Sequence, residues 1–202
     1  MNVIFVHGLN HWYEAYFWPW LTEFCTGLGL NIVKPEFPCQ IRNNEVYYKD
    51  WARIMDEKIK GVDLSDTMVI AHSMGSVFSV KYFTERGLNF DTFIALAGST
   101  KPRWPLFRRQ IKTFVPEKAG TCYDFSKMAK HRYALYSISD DDNYFATEHL
   151  VKYADRINAV HVPIENAGHF RSDTVCKNQL TEIITSVVKS KNCGKEKCYG
   201  TD

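Results

Sequence analysis

Thr67-Met68-Val69-Ile70-Ala71-His72-Ser73-Met74-Gly75-Ser76 is the stretch whose reading decides the fold. Residues 67–71 make an unbroken apolar run, suited to a strand covered on both faces of a sheet. Residues 76–85 read as a helix that ends before Gly87. Between the two lies a corner of small residues, with Ala71, Ser73 and Gly75 alternating. Small neighbours let a chain leave a strand and enter a helix through a sharp turn. A buried strand that exits through a helix implies strand–helix–strand units and a parallel sheet.

The same rhythm extends in both directions. Towards the N-terminus, residues 2–6 read as a strand ending at His7-Gly8, and Trp18-Pro19-Trp20-Leu21 as a helix start with proline in its first turn. That helix should stop near Gly27 or Gly29. Residues 31–33 follow as a strand and 45–60 as a helix, with Tyr47, Trp51, Ile54 or Met55, and Ile59 at helical spacing. Towards the C-terminus, residues 92–97, 133–138 and 159–162 read as strands. Residues 148–157 and 173–188 read as helices, the last with Ser172 as its N-cap. The expected class is therefore α/β, with one domain over residues 1–190 built on a mostly parallel six-stranded sheet with helices on both faces. Residues 99–130 break the alternation. They hold Lys101, Arg103, Arg108, Arg109, Lys112 and Lys118, and they read as a minimal, cap-like basic excursion or a solvated loop. Residues 191–202 read as a polar tail.

Composition narrows the functional classes. The chain has 202 residues, 45% hydrophobic and 24% charged, which excludes disorder throughout. A net charge of +2 demands no polyanion, so no nucleic-acid partner is expected. No stretch approaches the roughly 20 apolar residues of a membrane span, and residues 1–6 are too short for a secretory apolar core. A cytoplasmic monomer is expected. Six cysteines are scattered at 25, 39, 122, 176, 193 and 198, which suits free buried thiols in a reducing compartment. Cys193 and Cys198 alone are two ligands short of a structural zinc site. No metal or organic cofactor is expected.

Three segments carry chemistry. Ser73 lies in the strand-to-helix corner, where a hydroxyl is raised above the sheet edge beside free helix N–H groups. A serine that merely caps its helix is the plainer alternative. Two further segments weigh against it. The acidic run Asp140-Asp141-Asp142 follows the fifth strand, and Gly168-His169-Phe170 follows the sixth. All three fall at one edge of the sheet, in the order serine, acid, histidine. Serine would attack an acyl carbon, His169 would take its proton, and the carboxylate would hold the imidazole in the right tautomer. His72, adjacent to Ser73, should diverge from the hydroxyl, and His161 reads as a structural residue inside a strand. His7-Gly8-Leu9-Asn10 closes the first strand. It would offer the Leu9 amide (Asn10 as second choice) to an oxyanion, beside the amide of Met74. Trp12, Tyr16, Trp18 and Trp104 would line an acyl pocket or pack the core. Substrate-binding residues are otherwise not legible.

With these residues the sequence resembles the α/β-hydrolases, and within them the small serine hydrolases of the YdeN and retinoblastoma-binding-protein-nine family. The resemblance rests on Val6-His7-Gly8, Trp18-Pro19-Trp20-Leu21, Phe37-Pro38 followed by Trp51, His72-Ser73-Met74-Gly75, Ser139 through Asp142, and Gly168-His169-Phe170. It covers residues 3–190 and implies strand order 2-1-3-4-5-6. The family's Ser-x-x-Asp-Pro pattern selects Asp142 as the acid, with Asn143 where proline is usual and Asp141 as the alternative. The implied activity is cleavage of a small ester, thioester or amide through an acyl-enzyme. A fold-retaining binding protein that uses the basic 101–118 surface is the competing reading.

Overall fold

Six strands pair in parallel in the order 2-1-3-4-5-6: β1 (Asn2–Val6), β2 (Asn31–Val33), β3 (Thr67–His72), β4 (Phe90–Leu96), β5 (Ala129–Ser137) and β6 (Val160–Ile164). A computed structural model of the chain describes residues 1–9, 13–38, 46–104, 113–115, 128–172 and 175–196, with side chains to residue 192. Among these residues the helices are α1 (Trp18–Gly27), α2 (Tyr48–Lys58), α3 (Met74–Glu85), α4 (Thr147–Arg156) and α5 (Lys177–Glu196). The order and parallel pairing agree with the expected α/β architecture.

Burial explains where each strand sits. Every residue of β3 and β4 is buried, as befits central strands. β6 is an edge strand, where Pro163 lacks an N–H without breaking an inner ladder. Side chains alternate across the sheet. Phe5 and Ile70 face a cluster with Trp18 and Leu21 of α1 and Leu180 and Ile184 of α5. Ile4 and Val69 face the opposite cluster, with Trp51 of α2 and Phe78 and Phe83 of α3. Helices therefore cover both faces. Trp51 stacks on Phe37 at 4.4 Å and meets Phe78 edge-on at 5.3 Å, which anchors the segment after β2.

The ladder registers align the C-terminal ends. Val6 pairs with Ala71, and His72 with Leu96. The loops after β1, β3, β5 and β6 consequently open at one edge, which is where ligands bind in such sheets. Gly75 makes this possible. A Cβ there would lie 2.3 Å from the Val6 carbonyl oxygen and 2.6 Å from that of His7. The opposite edge is tied by charge. Lys191 of α5 lies 2.7 Å from the buried Asp91 carboxylate, and the N-terminal amine 3.1 Å from Asp66.

Several boundaries differ from the expected ones. α3 begins at Met74 rather than residue 76, because Ser73 completes the whole corner by itself. β5 begins at Ala129, earlier than residue 133, since its pairing with Phe90 and Thr92 is set by the neighbouring strand. α5 begins at Lys177, so Ser172 is not its N-cap. The chain first turns at Val175 and Cys176 and buries Cys176 in the core. α5 runs on to Glu196, into the stretch expected as a tail. Cys25 and Cys176 are free and buried, and burial pushes both thiols up to about 12. Cys39, Cys122 and Cys198, and the side chain of Cys193, lie outside the described residues.

Most of the basic excursion, including Arg108, Arg109, Lys112 and Lys118, also lies outside them. Its described part at residues 113–115 docks on the core. Phe114 is fully buried against Trp51 and Phe78, and Lys81 Nζ donates to the Thr113 carbonyl at 2.8 Å. Among the described residues no helix is long and apolar enough to cross a membrane.

Candidate active site

Ser73 stands between β3 and α3 with φ 54° and ψ −119°. A non-glycine residue in this region is strained, by about 1–3 kcal/mol, and needs fixed surroundings to stay there. Those surroundings are present. The Ser73 amide donates to the Leu96 carbonyl at 2.8 Å, and Ser76 Oγ to the Ala71 carbonyl at 2.8 Å. Ser73 is 4% exposed, and its Oγ lies 2.9 Å from His169 Nε2. His169 Nδ1 lies 2.8 Å from Asp142 Oδ2. The carboxylate fixes the ring proton on Nδ1 and leaves Nε2 to accept from the serine.

In this geometry Asp142 is the carboxylate that faces His169, and Asp141 has other partners. Asp142 is buried, and its Oδ1 accepts the amides of Tyr144 at 2.7 Å and Phe145 at 3.1 Å. Asp141 accepts from Ser137 Oγ through Oδ1 and from the Gly168 amide through Oδ2 at 3.1 Å. It clamps the loop after β5 to the loop that carries His169. Asn166 N donates to Ser139 Oγ at 2.8 Å and reinforces the same junction.

His72, His7 and His161 are engaged by partners other than Ser73. His72 does diverge from the hydroxyl: its Nε2 donates to the backbone carbonyl of His169 at 3.0 Å. His7 Nδ1 donates to the Gly8 carbonyl at 2.7 Å, and its Nε2 accepts the Phe37 amide at 3.0 Å. Burial among Tyr13, Phe37 and Trp51 drives its pKa down to about 4, against a partial rise from the Gly8 carbonyl. His161 lies on β6 between Tyr136 Oη at 2.9 Å and Asp155 at 3.1 Å, away from Ser73.

The residues expected to donate to an oxyanion lie on the two segments next to the serine. Met74 opens α3, so its amide is one of the helix-start N–H groups that lack a partner within the helix. Leu9 is buried and follows Gly8, where a Cβ would lie 3.0 Å from Ser73 Cβ. Glycine thus lets the loop after β1 press against the serine. Asn10 and Trp12 lie outside the described residues. Trp18 is not a pocket wall: it is fully buried among Phe5, Tyr13 and Phe17. Trp104 is 60% exposed, and its indole donates to the Asn143 carbonyl at 2.9 Å. Tyr144 and Phe145 flank the His169 ring, at 4.6 and 5.7 Å between ring centres. Among the described residues no group of three or more His, Cys, Asp or Glu side chains is placed to hold a metal ion.

The sequence model of one family, described as serine hydrolase, matches residues 4–182. The chain belongs to the serine hydrolase family. Solved structures agree on the fold of this hydrolase. It is similar to the ydeN gene product of B. subtilis, with TM-score 0.74 and 19% identity over 94% of this chain and 97% of that one. It is also similar to a structure from work on LipS and LipT, two metagenome-derived lipolytic enzymes, with TM-score 0.72 and 12% identity over 94% and 93%. A third is from work on carboxylesterases of the thaumarchaeon Nitrososphaera gargenis, with TM-score 0.63 and 12% identity over 94% and 91%. A search of curated protein sequences finds no match. The hydrolase fold is of the YdeN type, as the residue pattern implied.

Two features of the hydrolase site escaped the sequence. One is the grip of His72 on the His169 main chain, which only the packed loops reveal. The other is Arg103. Its backbone amide donates to the Tyr144 carbonyl at 2.7 Å, its Nε to the Asp142 carbonyl at 3.0 Å, and its Nη2 to the Asp140 carbonyl at 3.2 Å. It also pairs with the Asp140 carboxylate. The sequence shows only a basic cluster there.

Proposed function

We propose that this hydrolase cleaves small carboxylic esters, or thioesters and amides of similar size, through an acyl-enzyme on Ser73. The observation that carries the reading is the continuous chain from Ser73 Oγ through His169 to Asp142, at 2.9 and 2.8 Å.

Ser73 Oγ attacks the acyl carbon as its proton passes to His169 Nε2, and the carbonyl π electrons move onto oxygen. The amides of Leu9 and Met74 would stabilise that oxyanion. Asp142 offsets the positive charge that builds on the imidazole. The intermediate collapses, the carbon–oxygen bond to the leaving group breaks, and the Nε2 proton goes to the departing alcohol. A water molecule then attacks the acyl-enzyme with His169 again as base, and the acid is released with Ser73 restored. The chain's own residues supply each proton transfer. We further propose that the enzyme acts in the cytoplasm as a monomer.

The test is labelling with a fluorophosphonate probe, comparing wild type with Ser73→Ala and His169→Ala. Stoichiometric labelling of wild type that disappears in both variants is expected. Absence of labelling in folded wild type overturns the reading. A panel of p-nitrophenyl esters of increasing acyl length then sets the substrate range.

A further inference from the structure

We infer that Arg103 is a positioning residue for the acid loop, acting on catalysis through Asp142. The inference rests on the proposed Ser73–His169–Asp142 chemistry.

The acid loop holds one residue in a strained conformation. Asp140 has φ 53°, in the left-handed region that costs a non-glycine residue energy. The segment after β4 braces the loop from outside. Arg103 and Trp104 engage the backbone carbonyls of residues 140, 142, 143 and 144 in turn. The Arg103 guanidinium reaches two of these carbonyls and the Asp140 carboxylate together, a task suited to a planar fork of donors. Asp140 Oδ1 also accepts the Thr147 amide at 3.0 Å, which links the brace to the start of α4.

The consequence falls on Asp142. Its carboxylate is held by the Tyr144 and Phe145 amides, and its own carbonyl by Arg103 Nε. The Arg103 amide in turn holds Tyr144. The peptide groups around the carboxylate are thus tied to one arginine. Without it the loop keeps the Asp142–His169 contact but loses the fixed direction of that contact. Misplacement of a reacting group by about 1 Å costs up to roughly 100-fold in rate.

The experiment uses the full chain with Arg103→Ala, Arg103→Lys and Trp104→Phe. Arg103→Ala is expected to lower kcat on p-nitrophenyl acetate about tenfold or more with KM within about twofold. Fluorophosphonate labelling slows by the same factor. Arg103→Lys, which leaves a point charge in place of the fork, keeps only part of the wild-type rate. Trp104→Phe, which loses one N–H and keeps a ring, gives a smaller effect of the same sign. The far-downfield proton resonance of the His169–Asp142 hydrogen bond, assigned by its loss in His169→Ala, broadens in Arg103→Ala. A folded Arg103→Ala protein with wild-type kcat and an unchanged resonance overturns the inference. So does a rate loss that vanishes when the assay is cooled well below the variant's Tm. If wild type neither labels nor turns over, the hydrolase reading falls and the resonance alone decides the role of Arg103. If Arg103→Ala does not fold, Arg103→Lys and Trp104→Phe carry both readouts.

Discussion

Asp141 Oδ2 accepts the backbone amide of Gly168 at 3.1 Å, one residue before the histidine that Asp142 engages at 2.8 Å. Two neighbouring carboxylates therefore act on the same loop, one on its main chain and one on its imidazole. Their substitutions separate these tasks. Asp142→Asn is expected to lower kcat roughly 10⁴-fold with the fold intact, because the ring loses its fixed tautomer. Asp141→Asn keeps an acceptor for Gly168 and loses about tenfold or less. Esterase kinetics on the two variants decide it, and equal losses would mean the acid is misassigned.

Glycines near the serine differ in what a methyl group would meet. At Gly8 it would lie 3.0 Å from Ser73 Cβ and 3.3 Å from the His72 carbonyl oxygen. Gly8→Ala should push the oxyanion loop outward and lower kcat by about 10²-fold, the cost of one misplaced donor. At Gly75 it would meet main-chain oxygen at 2.3 Å, and the variant should lose about 3 kcal/mol or more, or fail to fold. Gly27, at the end of α1, has open space around it. Gly27→Ala should gain about 0.5–1 kcal/mol. Urea unfolding of the three variants checks the ranking.

Stability should fall on the acid side of neutrality because of His7. Its folded pKa is about 4, against an ordinary 6.5. Below pH 6.5 the unfolded chain takes up a proton that the buried ring refuses. The stabilisation is complete above pH 6.5, declines as pH falls towards 4, and levels off below. Its full size is about 3 kcal/mol. Denaturant unfolding between pH 7.5 and 4 should show this slope in wild type and a flatter one in His7→Gln. Equal slopes would assign the effect to other groups.

The Lys191–Asp91 pair should govern stability without touching catalysis. Burial disfavours the Asp91 charge, yet hydrogen bonds from Lys191 and Thr92 and the lysine's charge hold its carboxyl below the usual range. That contribution is present above about pH 4 and is lost as pH falls further. Lys191→Met strands a buried carboxylate and should cost about 2–3 kcal/mol, partly recovered by Asp91→Asn in the same chain. Both lie at the edge of the sheet opposite Ser73, so kcat should stay at the wild-type value. A Tm shift accompanied by a fall in kcat would show that the two edges are coupled.

Much of the molecule is legible because its signals are local. The apolar run of β3, the small-residue corner at Ser73 and the loop at His169 each announce themselves within a few residues. Element ends are less legible where a neighbour sets them, as β4 does for the start of β5 and the buried Cys176 does for the start of α5. Among three consecutive aspartates, spacing cannot say which one faces the histidine, since their directions depend on the left-handed turn at Asp140. Family resemblance points to Asp142, and the packed loops set that carboxylate against His169. Arg103 is illegible in sequence because it reads carbonyls some forty residues away, and carbonyls carry no side-chain identity.

Residues 72 and 73 are consecutive, yet they grip His169 in two places. The imidazole of His72 holds its main-chain carbonyl at 3.0 Å, and the hydroxyl of Ser73 meets its side chain at 2.9 Å. The proposed nucleophile and base therefore share one mount. A displacement of the β3 tip carries the proton acceptor along with the proton donor, and their separation survives it. On the proposed chemistry, gating falls to the Asp142 loop that Arg103 braces or to how the substrate arrives.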